Sequence, residues 1–226
     1  MRAAQQDTPA VEGHAATTEV QVNQFEGTSR RAEPLLSFFS AVAREEGWEP
    51  GGELAAYRDR STYFSLTDEG GSILGGLQLV APDADGALPC VKVWPELAPD
   101  LAQSKGTIIH VAMLAIAQPW RSRRDAGSSA PFWRLTAAMW NHCVTQGVRE
   151  LWLEATPRTL RAYKLVGWPL IIRGELRDHW GEPCYPCSLS IREVAGALTE
   201  RAVRSDTYRR VVFDMIQSSD TLRPPK

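Results

Sequence analysis

Apolar positions along the chain follow two periods. Leu35, Phe38, Phe39, Val42 and Ala43 recur at helical spacing between Pro34 and Gly47, which predicts a first amphipathic helix. A second short helix is predicted over residues 53–59. Residues 62–68 and 72–80 are strand-like stretches flanking Glu69, Gly70 and Gly71. Because glycine supplies the positive φ of tight turns, they predict a hairpin. Residues 90–94 read as a short strand, and residues 95–103 as a proline-bounded turn or helix. Residues 107–117 are almost continuously apolar, as expected of a strand covered on both faces. The strand ends in a turn rich in Arg, Gly and Ser, where Ser128 or Ser129 is placed to cap a helix from about Pro131 to Gln146. A strand over 148–155, a helix over 157–166, strands over 168–173 and 185–192, and helices over 193–204 and 206–217 complete the pattern. The alternation predicts an α/β (α+β) domain over 32–192 with the last two helices packed on it. Residues 1–31 lack sustained periodicity and are expected to be a disordered extension, and residues 218–226 a flexible tail.

The chain has 226 residues, long enough for one full core, and 25 Lys+Arg against 27 Asp+Glu leave a net charge of −2. That balance gives no basic field for nucleic acid. No apolar run approaches the roughly 20 residues a membrane crossing needs, and the first residues lack a secretory signal pattern. A cytoplasmic protein without nucleic-acid or membrane partners is the expectation. Cys90, Cys143, Cys184 and Cys187 are too few and scattered for a disulfide framework. Cys184 and Cys187 with His179 are one ligand short of a closed zinc site, so the cysteines are expected to be buried thiols and no metal is expected. Eight tryptophans exceed what such a core usually needs, and Trp120 and Trp152 are candidates for lining an apolar ligand pocket.

The most informative segment is the apolar strand that feeds Arg121, Arg123, Arg124, Gly127, Ser128 and Ser129 at a helix start. Unpaired N–H groups and the positive end of the helix dipole suit a pyrophosphate there, and arginine adds fork-shaped donors. A solvated basic loop is the competing reading. Downstream, Tyr163, Gly167 and Trp168 form a Tyr-x-x-x-Gly-aromatic sequence at a helix end. In this order the two motifs resemble the GNAT acyltransferase superfamily, whose coenzyme A loop reads Arg/Gln-x-x-Gly-x-Gly/Ala. Arg124, Gly127 and Ser129 take those places, the last departing from the pattern. Gly75–Pro82, Gly86, Pro89, Trp94, Pro95, Leu97 and the pair Gly167, Trp168 extend a narrower resemblance, over about two thirds of the chain, to autoinducer (acyl-homoserine-lactone) synthases and N-acyl amino acid synthases. Three polar positions of that family stand here as Gln78, His110 and Met113, which argues against homoserine lactone or S-adenosylmethionine as acceptor.

The resemblance implies a mixed central sheet flanked by helices and transfer of an acyl group from an acyl-CoA or acyl-carrier-protein thioester to a small amine. It places the pyrophosphate on residues 121–129 and the pantetheine along the backbone at Leu114, Ile116 and Gln118. Tyr163 matches the position of a tyrosine that protonates the leaving thiolate. His110, an imidazole and so of the residue type best suited to proton transfer near neutral pH, and Glu154, a strand-end carboxylate whose apolar neighbours would raise its pKa, are the candidate bases. Arg58 and Arg60 are candidates for clamping an anionic acceptor or a phosphate. The alternative function is a catalytically silent module of the same fold that binds an acyl thioester or a protein partner.

Overall fold

The computed structural model describes residues 20–104, 107–121 and 131–221. Its strands are β1 (Val20–Glu26), β2 (Ser61–Asp68), β3 (Ile73–Val80), β4 (Ile108–Ile116), β5 (Glu150–Ala155), β6 (Ile171–Ile172), β7 (Arg177–His179) and β8 (Glu182–Ser190). Its helices are α1 (Ala32–Glu46), α2 (Glu53–Ala56), α3 (Ala98–Gln103), α4 (Gln118–Arg121), α5 (Pro131–Thr145), α6 (Pro157–Val166), α7 (Ile191–Arg204) and α8 (Asp206–Thr221). The strands form one mixed sheet in the order β1-β2-β3-β4-β5-β8-β6, with β7 paired to β8. Only the β4–β5 pairing is parallel among the described residues.

The near-continuous apolar run of β4 reflects burial on both faces, and β2 is buried from Ser61 to Leu66 although half of those residues are polar. Along β2, Tyr63 packs beneath α1 with Leu35, Phe39 and Val42, whereas Phe64 and Leu66 join Leu135, Met139 and Cys143 of α5 on the other face. The second face also takes Val194 and Leu198 from α7, and Val211 and Met215 from α8. A third cluster, with Leu88, Cys90, Trp94, Leu97 and Leu101, covers Ile108 and Trp152. The close fit of α1 on the sheet explains Gly76. A Cβ there would lie 2.5 Å from Leu35 Cδ1 and 2.9 Å from Phe39 Cε1. Gly76→Val is expected to destabilise the fold by about 2–3 kcal/mol, read as a lowered urea midpoint with an unchanged m-value.

Five expectations about the elements need correction. Residues 1–31 are not all extension, because Val20–Glu26 is an edge strand in register with β2 from Val20↔Asp68 to Glu26↔Thr62. Its Val20, Val22 and Phe25 are half-buried, so the alternation is too short to stand out without its partner. Residues 90–94 form a 3-10 turn (Pro89–Lys92), since Pro89 sets its first turn and withholds the N–H a ladder needs. Within 168–173 only Ile171–Ile172 pairs as strand. The strand expected over 185–192 runs Glu182–Ser190, where Ser190 caps α7 by accepting from Glu193 N–H at 3.4 Å. The last helix continues to Thr221 rather than fraying at Ser218. The expected cap at Ser128 or Ser129 lies outside the described residues.

Candidate functional site

The middle of the sheet opens. Parallel pairing between β4 and β5 stops at His110↔Trp152, and beyond that pair the two strands diverge. On its other side β4 stays paired with β3, but Gln78↔Met113 is followed by Leu79↔Val111, so Ala112 is an extra residue that bulges the strand. A cavity of about 430 Å³ occupies the wedge. Val111, Ala112, Met113 and Leu114 form its β4 wall, Leu153 and Glu154 its β5 wall, and Phe132, Ala162, Tyr163 and Val166 its helical wall. The β7–β8 hairpin closes one end with His179, Trp180, Glu182 and Cys184, joined by Trp48.

At the apex His110, 2% exposed, bridges the diverging strands to Glu154, with Nε2 2.9 Å from Oε1. Burial by itself would raise the Glu154 pKa, as its sequence context predicts. The charge and hydrogen bond of His110 outweigh burial and hold the carboxyl below its ordinary range. An ionised carboxylate only accepts, so His110 Nε2–H donates to it. His110 Nδ1 is buried without a hydrogen-bond partner among the described residues.

Tyr163 stands across the cavity on α6, whose start is capped by Thr156 accepting from Thr159 N–H at 3.1 Å and whose end is Gly167 at φ 88°. That left-handed φ favours glycine, which accounts for the Tyr-x-x-x-Gly spacing. The phenol ring stacks on Trp168 at 5.2 Å, and burial pushes its pKa up to about 12. Tyr163 is therefore a protonated phenol throughout the neutral range.

The other sequence candidates divide by place. Leu114 lines the wedge, but the Ile116 carbonyl accepts from Arg121 Nε at 2.5 Å, and the Arg121 guanidinium also pairs with Glu46. Gln118 starts α4 directly after β4. Arg123, Arg124, Gly127, Ser128 and Ser129 lie outside the described residues. Arg58 and Arg60 do not reach the cavity. Arg58 donates to the Gly27 carbonyl at 2.5 Å and pairs with Glu33, and Arg60 donates to the Ala81 and Ala87 carbonyls at 2.8 and 3.2 Å. They clasp loops onto the sheet, because a guanidinium fork suits convergent backbone carbonyls. Trp152 is buried in the third cluster beneath Arg173, and Trp120 packs against the main core, so neither lines the wedge. Gln78 is fully buried, its Nε2 at 2.9–3.1 Å from Ser61 Oγ, Leu54 O and Tyr63 OH. Cys90, His110 and Glu154 put one donor atom each within 4.8 Å of one another, a thiol–imidazole–carboxylate set of the kind zinc uses. The four thiols are free and buried.

Trp48, His179, Trp180 and Glu182 belong to no motif and reach the cavity through folding. The local signal for three of them is the Trp180–Gly181 pair between two polar stretches. Both residues have positive φ, 57° and 84°, and His179↔Glu182 closes the ladder around them as a two-residue hairpin turn. Burial lowers the His179 pKa.

No protein-family model matches the chain, and no curated protein does. Solved structures with this architecture do. FeeM, an N-acyl amino acid synthase from uncultured soil microbes, matches with a TM-score of 0.63 at 16% identity, over 80% of this chain and 96% of that one. The acyl-homoserine-lactone (AHL) synthase LasI matches at 0.58 and 14% identity, over 77% and 90%. BjaI, a CoA-dependent acyl-homoserine lactone synthase solved with SAM and isopentyl-CoA, matches at 0.55 and 18% identity, over 85% and 99%. The chain has the GNAT fold these proteins share. Among the described residues, no helix is long and apolar enough to cross a membrane.

Proposed function

We propose that the protein is an N-acyltransferase that moves an acyl group from a coenzyme A or acyl-carrier-protein thioester to a small amine. The observation that carries this reading is the wedge between β4 and β5, with the Glu154–His110 pair at its apex and the Tyr163 phenol across from it. The unpaired β4 edge beyond His110 suits an extended pantetheine arm, and the apolar lining suits an acyl chain. The fold supports the reading, because proteins with it include synthases that form N-acyl products.

In this reading the acceptor arrives as an ammonium and gives one proton to solvent through Glu154. The free amine attacks the thioester carbon, the C–N bond forms, and the C–S bond breaks. The nitrogen becomes strongly acidic on attack and passes its second proton to Glu154, for which a carboxylate of low pKa is a sufficient base. Tyr163 gives its proton to the departing thiolate and recovers one from the site, so that amide and free thiol leave. Glu154 faces the cavity and His110 stands behind it, which makes Glu154 the base and His110 its positioning residue. The reading assigns this pair to proton transfer rather than to a metal. It places pyrophosphate on Arg121, Arg123 and Arg124, and locates the protein in the cytoplasm with its carrier.

The test is free-thiol release from acyl-CoA and acyl-carrier-protein donors with a panel of amines. Glu154→Gln is expected to lower kcat by roughly 10²–10⁴-fold while donor binding persists. His110→Leu removes the group that holds Glu154 ionised, so burial then raises its pKa. The acid limb of kcat is expected to move to higher pH. Donor binding without thiol release from any amine would favour the silent module instead.

A further inference from the structure

The acceptor end of the wedge has a charge pattern of its own. Two carboxylates, Glu154 and Glu182, line the cavity, and no Lys or Arg does among the described residues. Its imidazole, His179, is held toward its neutral form by burial, although the neighbouring carboxylates pull the other way. Trp48 and Trp180 supply aromatic faces. Trp180 is displayed there at some cost, because a bulky residue at φ 57° is strained. Three contacts hold it: Nε1–H donates to Glu53 Oε2 at 2.9 Å, its carbonyl accepts from Glu49 N–H at 3.1 Å, and its ring stacks on His179 at 4.7 Å.

We propose that the acceptor is a primary alkyl or arylalkyl amine without a carboxylate, held as an ammonium by Glu182 and Glu154 against the Trp180 and Trp48 faces, and that free amino acids are rejected. This rests on the acyl-transfer reading. An amino acid would bring its own carboxylate against two others with no Lys or Arg on the described cavity wall to pair it, and like-charge approach in a desolvated site strongly disfavours a wrong partner. An ammonium gains from both carboxylates and from the aromatic faces, which attract cations.

Matched pairs that differ only in the carboxylate provide the test: tyramine with tyrosine, tryptamine with tryptophan, and phenethylamine with phenylalanine. Thiol release from an acyl-CoA is expected to show kcat/KM for each amine roughly 100-fold or more above its amino acid. Equal or better use of the amino acids would overturn the proposal. Calorimetric titration of the full-length protein with the same pairs in the presence of CoA separates acceptor choice from catalysis. Amine binding without amino-acid binding supports the acceptor class even if no thiol is released, in which case the transfer reading is what fails. Binding of neither member, or of both equally, overturns the acceptor class. Glu182→Gln is expected to raise the amine KM about tenfold with kcat changed less, and Glu182→Arg to narrow the amine-to-amino-acid ratio. A residue that serves only the turn would leave that ratio unmoved.

Discussion

Tyr163→Phe is expected to lower kcat for acyl transfer by roughly 10²–10⁴-fold, the usual span for removing a general acid, with donor affinity nearly unchanged. The ring keeps its stack on Trp168 and its place on α6, so the variant loses only the hydroxyl. The decisive readout is the leaving group. With an aryl thioester, whose thiolate departs without protonation, the defect should shrink toward tenfold or less. An equal loss with aryl and alkyl thioesters would assign Tyr163 to packing or binding. Because burial pushes its pKa up to about 12, the wild-type rate should show no alkaline limb from this group below about pH 11.

The fold itself is expected to be unusually sensitive to alkali. Burial pushes the Cys143, Cys184 and Cys187 thiols up to about 12 from an ordinary 9.0, and it pushes Cys90 up as well. A pKa raised by folding means that the native state holds the proton more tightly than the unfolded chain. The stabilisation is whole below pH 9 and is lost as pH rises from 9 through about 12. For Cys143, fully buried on the inner face of α5, the loss by pH 11 is on the order of 2–3 kcal/mol, and the other thiols add to it. Urea midpoints measured at pH 7, 9, 10 and 11 should fall steeply over the last two steps. Cys143→Ala should start lower at pH 7 because of its cavity, yet fall less steeply above pH 9. A midpoint flat to pH 11 would show that the thiols ionise in the folded protein without cost.

Much of the fold was legible because its elements carry strong local signals. The Glu69–Gly71 turn announces the β2–β3 hairpin, Gly167 marks the end of α6, and the apolar run of β4 follows from burial on both faces. Weak elements were those that exist only through partners. β1 is a half-buried edge that needs β2 for its ladder, and the Pro89 turn needs the cluster around Trp94. The site divides in the same way. Tyr163, His110 and Glu154 stand out as chemical types on recognisable elements, but which of the two candidate bases faces the cavity depends on how β4 and β5 diverge.

Sequence alone therefore determined the elements with strong local signals, the α6 motif and the residue types able to move protons, since periodicity, turn glycines and side-chain chemistry are local properties. Tertiary structure decided the rest. It reversed the expected direction of the Glu154 shift by placing His110 2.9 Å away across 44 positions of chain. It turned Arg58, Arg60 and Gln78 into internal ties, and it brought Trp48, Trp180 and Glu182 to the wedge. Each of these outcomes depends on distances between residues remote in sequence. A pKa, an ion pair or a cavity wall is set by what stands within a few ångströms, and the order of residues does not contain that information locally.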